Sequence, residues 1–275
     1  DLKNVLSRDF ENLSFDLSRW NSVLSDSSYA SVYHQVSNVD YYSAYFQGEN
    51  ISFVLIEDNK PIAIFPIFAY QDNNEWKISS NGLGLISPLF IRDIPKKTRK
   101  RLEKQFIEII LFISKKIKLR KIILFEHSHF LSNWFLLWLE KADKDFITYQ
   151  LAIDLQQSIE SIKLDFRKSY KPLVNKALKD WDVRVCKENV DEVFEEFKDL
   201  HFEAAGKQTR SKESWSIQRQ QIENKEAFLV SVRDGNTLIG AGFFNFSRDM
   251  GAYSVGAYKR DLFDKPIGHA VQMIA

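Results

Sequence analysis

Residues 53–66, Phe53-Val-Leu-Ile-Glu-Asp-Asn-Lys-Pro-Ile-Ala-Ile-Phe-Pro66, return in altered form at residues 229–243, Leu229-Val-Ser-Val-Arg-Asp-Gly-Asn-Thr-Leu-Ile-Gly-Ala-Gly-Phe243. Each copy is an apolar, β-branched run, an Asp followed by Asn or Gly, and a second apolar run, the pattern of two antiparallel strands joined by a tight turn. Phe53, Val54, Ile56 and Asp58 align with Leu229, Val230, Val232 and Asp234, and after one extra turn residue Ile62-Ala63 meets Ile239-Gly240. One supersecondary unit is therefore used twice.

The flanks repeat as well. Helical, polar-rich sequence precedes each hairpin, and another strand follows it, at residues 76–80 and 252–256. A helix pattern comes next in each half, over 97–118 and from 268 to 275. The order helix, strand, strand, strand, helix met twice predicts two α+β modules, 1–150 and 151–275, with mostly antiparallel sheets flanked by helices. The second helical pattern is still running at Ala275, so the second module is expected to be incomplete at its C-terminus.

Within the first module the periodicity places short helices over 16–45 and an amphipathic helix on Leu102, Phe106, Ile109, Ile110 and Ile113. Strands are expected at 121–126 and 146–155, with a helix over 131–141 between them. A helix opening at Ser158 is ended or kinked by Pro172, which has no amide to give one turn back. A strand over 181–185 and helices around 193–204 and Trp215 follow. Asn81-Gly-Leu-Gly84 reads as a strand exit where backbone needs positive φ or a ligand needs close approach, and equally well as an ordinary irregular turn.

A chain of 275 residues with 44% apolar content can bury a sizeable core. Its 38 basic residues against 37 acidic ones give no overall field for nucleic acid, although eleven Lys and Arg between Lys96 and Lys121 face only Glu103 and Glu108. No DNA partner is expected. No apolar run approaches the roughly 20 residues of a membrane helix, and the lone Cys186 allows no internal disulfide, as suits a cytoplasmic protein.

Chemistry-bearing motifs are few. His127 and His129 share a strand face without a second ligand pair, so no metal is expected. No Gly-x-Ser-x-Gly elbow or phosphate-cradling glycine motif occurs, and Cys186 has no neighbouring His, so a covalent nucleophile is not supported. What stands out is Tyr253–Gln272: a strand, a loop with Lys259, Arg260 and Lys265, then a helix start near Gly268 whose free amides suit a pyrophosphate or another anion. A plain polar connection reads equally well there.

Two such modules, with Phe166-Arg-Lys-Ser-Tyr-Lys-Pro-Leu-Val-Asn-Lys-Ala-Leu-Lys179 early in the second and Val255-Gly-Ala-Tyr258 then Pro266-Ile-Gly-His-Ala-Val-Gln272 late in it, resemble the FemAB-like branch of the GNAT acyltransferase superfamily. The resemblance implies two tandem GNAT-like modules and acyl transfer from an activated donor to an amine, such as one on a cell-envelope precursor or amino sugar. The donor is acyl-CoA in simple GNAT enzymes and aminoacyl-tRNA in the peptidoglycan-bridge members. Carried onto this chain, Val255, Gly256, Lys259, Arg260, Gly268 and His269 are the expected donor contacts. His201 and Tyr258 are the catalytic candidates. Arg167, Lys168, Tyr170, Lys171, Lys207, Arg210 and Trp215 are the candidate substrate contacts. A single glycine, Gly268, followed by His269-Ala270 departs from the usual glycine pair of the pyrophosphate loop. A tRNA-dependent aminoacyl ligase and a non-catalytic binding module therefore stand beside the acyl-CoA reading.

Overall fold

A computed structural model describes residues 2–126, 132–145 and 151–275. The chain divides into two compact units: the first gathers 1–145, 211–217 and 246–250, the second 146–210, 218–245 and 251–275. Ten helices and eleven strands occur among the described residues, and every strand pairing within the sheets whose direction is resolved is antiparallel.

The first unit opens with α1 (Leu2–Asp9), β1 (Leu13–Ser14), α2 (Leu17–Asp26), α3 (Val36–Tyr45) and β2 (Glu49–Asn50). The hairpin follows as β3 (Phe53–Glu57) and β4 (Lys60–Phe65), turning on Asp58 and Asn59 at φ 48° and 60°. Two successive positive φ values make a turn whose twist matches that of the strands. Next come β5 (Phe68–Asp72), β6 (Glu75–Ser79), β7 (Leu89–Phe90), α4 (Lys96–Ile117) and α5 (Asn133–Leu139). Strands β1, β3, β4 and β7 form one sheet; β2, β5 and β6 form another.

Alternation along the hairpin sorts the core. Phe53, Leu55, Ala63 and Phe65 pack with Leu102, Phe106, Ile109, Ile110 and Ile113 of α4, while Val54 and Ile64 pack with Trp20 and Val23 of α2. Helix and strand periods thus meet on both faces. Phe106 lies 5.8 Å from Phe53 and 5.4 Å from Phe65, ring centre to ring centre.

The second unit holds α6 (Ile159–Leu164), α7 (Tyr170–Asp180), β8 (Asp182–Cys186), α8 (Asp191–Ala205), β9 (Ala227–Asp234), all but the last residue of β10 (Thr237–Phe246), and β11 (Gly251–Tyr258), then α10 (Ile267–Ile274). Helix α9 (Lys212–Glu223) begins in the first unit and ends in the second. The sheet order is β11-β10-β9-β8. The β9–β10 turn uses Gly235 at φ 57°, followed by Asn236. Val230, Val232, Ile239 and Phe244 pack with Ile267 and Val271 of α10, α7 lies along α10, and α8 packs on β11.

The two hairpins share an irregularity as well as an outline. Leu55 pairs with Ala63 and Ile56 with Pro61, which leaves Ile62 as the extra residue of a bulge. Val232 pairs with Gly240 and Arg233 with Leu238, which leaves Ile239 in the same role. Ile62 and Ile239 are the residues that the sequence alignment superposed. A bulge at one matched position on both second strands marks the same unit built twice.

The copies then diverge. In the second, β10 runs unbroken for ten residues. In the first, Pro66 and Ile67 interrupt the run between β4 and β5, because Pro66 has no amide for the ladder. Ser52 substitutes, its hydroxyl accepting the Ile67 amide at 2.9 Å.

Some expectations are corrected. Residues 121–126 form no strand: only Leu124 bridges, in parallel, to Leu85. Of the strand expected over 146–155, residues 146–150 lie outside the described residues, and 151–155 is unpaired with Leu151, Ile153 and Leu155 exposed. Pro172 breaks no helix; it is the third residue of α7, inside the first turn where its amide is not needed. His127 and His129 lie outside the described residues. Gly82 takes φ 83°, and a Cβ on Gly84 would sit 2.8 Å from the Ile123 carbonyl oxygen, so backbone packing accounts for both glycines of the 81–84 exit.

Candidate functional site

Strand β11 lies at one edge of its sheet, and its outer side has no partner strand among the described residues. From Tyr258 the chain passes through a short 3-10 turn, Arg260–Leu262, and enters α10 at Ile267. The cap is Pro266, which offers no side-chain acceptor. The amides of Ile267, Gly268 and His269 find no acceptor among the described residues, while that of Ala270 already bonds the Pro266 carbonyl at 3.3 Å. Three free donors at the positive end of a helix dipole can hold an anion.

Three glycines shape the wall beside this helix. A Cβ on Gly240 would fall 2.5 Å from Cγ2 of Ile267, and one on Gly242 would fall 2.6 Å from Cγ1 of Val271. Their bareness lets α10 sit close on β10. A Cβ on Gly256 would fall 1.6 Å from the hydroxyl of Tyr253, so only glycine there lets that phenol lie against the strand backbone.

Tyr253 and Tyr258 meet hydroxyl to hydroxyl at 2.9 Å. Tyr258 packs in the α10-facing core, and burial first, then its bond to Tyr253, raise its phenol above the usual range. Burial also raises Tyr253, but its bond to Tyr258 works the other way. Either oxygen can donate in this bond; with Tyr258 as donor and Tyr253 as acceptor, the Tyr253 proton is free for another partner. The Tyr253 ring lies 5.1 Å from Phe244 and is 44% exposed. A Cβ on Gly268 would stand 3.9 Å from the Tyr258 hydroxyl, which brings the phenol pair beside the first turn of α10.

Other expected donor contacts are occupied differently. The Val255 side chain is buried, which leaves its backbone as the part a ligand can reach. The Lys259 amide donates to the carbonyl of the bulge residue Ile239 at 3.0 Å. Arg260 donates through Nε to the Ala204 carbonyl at 2.7 Å, completing the C-terminal turn of α8. His269 lies beneath Tyr170, ring centres 4.9 Å apart, and the Tyr170 hydroxyl reaches the His269 carbonyl across a long 3.4 Å.

His201 lies on α8 and accepts at Nε2 from the Arg210 guanidinium, 2.6 Å away. Burial first, and the Arg210 charge second, lower its pKa to about 4, so the ring is neutral near pH 7 with its proton on Nδ1. It can take a proton at Nε2 only after Arg210 lets go. Arg167, Lys168 and Lys171 stand exposed around the start of α7, with no ion-pair partner among the described residues. Lys207 is exposed, and Trp215 is buried within the first unit. The structure thus pairs His201 with Arg210 and Tyr170 with His269.

Sequence reasoning passed over Tyr253, Gly240 and Gly242. A signal was present: Gly240 and Gly242, two apart in a strand, bare the same face, which marks a surface against which something packs closely. Among the described residues no cluster of His, Cys, Asp and Glu suited to a metal occurs, and no helix is long and apolar enough to cross a membrane.

No protein-family model matches the sequence, and no curated protein matches it. Solved structures do. FemX superposes with a TM-score of 0.62 at 10% identity, covering 95% of this chain and 83% of its own. The C-terminal domain of a putative lysylphosphatidylglycerol synthetase from Agrobacterium fabrum gives 0.57 at 9% identity, covering 94% and 72%. L-PGS from Bacillus licheniformis gives 0.56 at 12% identity, covering 94% and 70%. At such identities the likeness establishes the fold, which is the FemX fold. The resemblance drawn from the sequence motifs holds at that level.

Proposed function

We propose that this chain moves an aminoacyl group from an aminoacyl-tRNA to an amine of a cell-envelope precursor. The observation that carries this reading is the open edge of β11 running into α10, whose Ile267, Gly268 and His269 amides are unpaired. The fold shared with FemX and with lysylphosphatidylglycerol synthetase domains supports an aminoacyl rather than a simple acetyl donor. So does the engagement of Arg260 with α8, which removes one cation from a CoA-type pyrophosphate loop.

The chemistry asks little of side chains. The α10 amides receive an anionic group of the donor, and Arg167, Lys168 and Lys171 offer further phosphate contacts. The outer backbone of β11 orients the ester carbonyl, and an amide on that edge stabilises the oxyanion formed when the neutral amine attacks. A neutral acceptor amine needs no metal and no covalent nucleophile.

The test mixes the chain with a charged tRNA pool and a nucleotide-linked peptidoglycan stem peptide, and follows label from tRNA to peptide. Transfer supports the reading. Transfer from acyl-CoA alone would replace the donor and leave the acyltransferase class standing. A non-catalytic binding module is the second reading, favoured by the intramolecular partners that occupy both His201 and Tyr258. Binding of tRNA and peptide without transfer would establish it.

A further inference from the structure

We infer that Tyr253 is the group that hands a proton to the departing ribose oxygen of the donor, with Tyr258 and Gly256 as the residues that position it. The inference rests on the transfer reading above and deepens it. Tyr253 lies on the edge strand β11, partly exposed, while Tyr258 is held in the core that faces α10. Their hydroxyls are 2.9 Å apart. The Tyr258 side chain is half-buried, and its hydroxyl has the Tyr253 oxygen as a partner to which it can donate. With Tyr258 as donor, Tyr253 accepts that bond and keeps its own proton for the open side.

Gly256 makes the geometry possible. The Tyr253 oxygen occupies the place where any side chain at residue 256 would begin, 1.6 Å from the ideal Cβ. The phenol is therefore laid along the strand backbone, bonded to the Tyr258 hydroxyl that stands beside the first turn of α10. An anion or ester held by that edge lies within reach of one outward-pointing O–H.

The acceptor nitrogen bonds to the ester carbonyl carbon, and the bond from that carbon to the ribose oxygen breaks. The electron pair stays on the ribose oxygen, which takes the phenolic proton of Tyr253. The new ammonium loses a proton to water, and the half-exposed phenolate regains one from water. A ribose alkoxide is strongly basic and needs this proton; a thiolate leaving group is weakly basic and does not.

The experiment measures transfer to the stem peptide by the full chain from two donors, the charged tRNA pool and an aminoacyl thioester of N-acetylcysteamine. Tyr253→Phe, which keeps the ring, is expected to slow transfer from the tRNA ester about 100-fold, the size of one proton-transfer contribution. Its rate on the thioester should change less than about threefold, with tRNA affinity unaltered. Tyr258→Phe and Gly256→Ala should shift the ester-to-thioester ratio in the same direction, checked on protein whose circular dichroism matches the parent. Equal loss on both donors, or full retention on the ester, overturns the assignment of Tyr253. If the parent chain itself moves nothing from any charged tRNA, the transfer reading fails, and the assignment with it.

Discussion

At the scale of single residues, the structure holds two histidines neutral by different means. His34 is fully buried: Nε2 donates to the Ser87 carbonyl at 3.1 Å, and Nδ1 accepts the Ser31 hydroxyl at 2.8 Å. Burial lowers its pKa to about 4, against the opposing pull of the Ser87 bond. His201 reaches the same value half-exposed, beside Arg210. Both folded values lie below 6.5, so the unfolded chain binds the extra proton first. Their contribution is intact above pH 6.5, falls as pH drops from 6.5 towards 4, and levels off below. For His34 the loss is on the order of 3 kcal/mol; His201, screened by solvent, adds less. Replacing His34 with Gln should flatten the decline, measured as urea midpoints at pH 7.5, 5.5 and 4.5. An unchanged slope would mean that other groups drive it. None of this was legible in the sequence, where His34 carries no pattern. Its burial comes from Trp20, whose indole donates to the His34 carbonyl at 2.9 Å, and from a loop fifty-three residues away.

At the scale of elements, the bulged hairpin and the glycine wall decide what the strands tolerate. Gly240→Ala places a methyl 2.5 Å from Ile267 and is expected to cost about 1–3 kcal/mol, read from denaturant unfolding. Gly251→Ala, where nothing lies within 4 Å, is the control and should cost far less. Arg260→Ala should speed amide exchange in the last turn of α8, since the Ala204 carbonyl loses its donor, at about 0.5–1.5 kcal/mol. Donor affinity should hold; a large drop would return Arg260 to the binding site. Sequence revealed the helices through their periods and the hairpins through their turns. It mistook 121–126 for a strand because an apolar β-branched run looks alike whether it forms a full ladder or, as here, a single bridge at Leu124. The break at Pro66 was legible in principle; the substitution by Ser52 was not, because it is a long-range bond.

At the scale of the whole molecule, the tandem repeat was legible and the membership of the units was not. The first unit includes residues 246–250, where Asp249 accepts the Ala30 amide at 2.8 Å and Arg248 donates to the Ser27 carbonyl at 2.8 Å. Periodicity cannot show that a turn more than two hundred residues away completes a unit. A fragment spanning 1–150 lacks those partners, and its melting temperature should fall below that of the first transition of the full chain; equal values would show the turn to be dispensable. Binding of tRNA should weaken steeply with salt, and replacing Arg167, Lys168 and Lys171 together by Ala should reduce the slope of log affinity against log salt by about 2–3. An unaltered slope would remove the α7 cations from the interface. The chain also carries a single thiol, Cys186, at the end of the edge strand β8 and 3.5 Å from the Ser231 hydroxyl. One half-buried thiol among these 275 residues is a ready-made attachment point: a maleimide fluorophore has a single cysteine to react with, and its polarisation would register the slower tumbling of a tRNA-laden particle without any engineered residue.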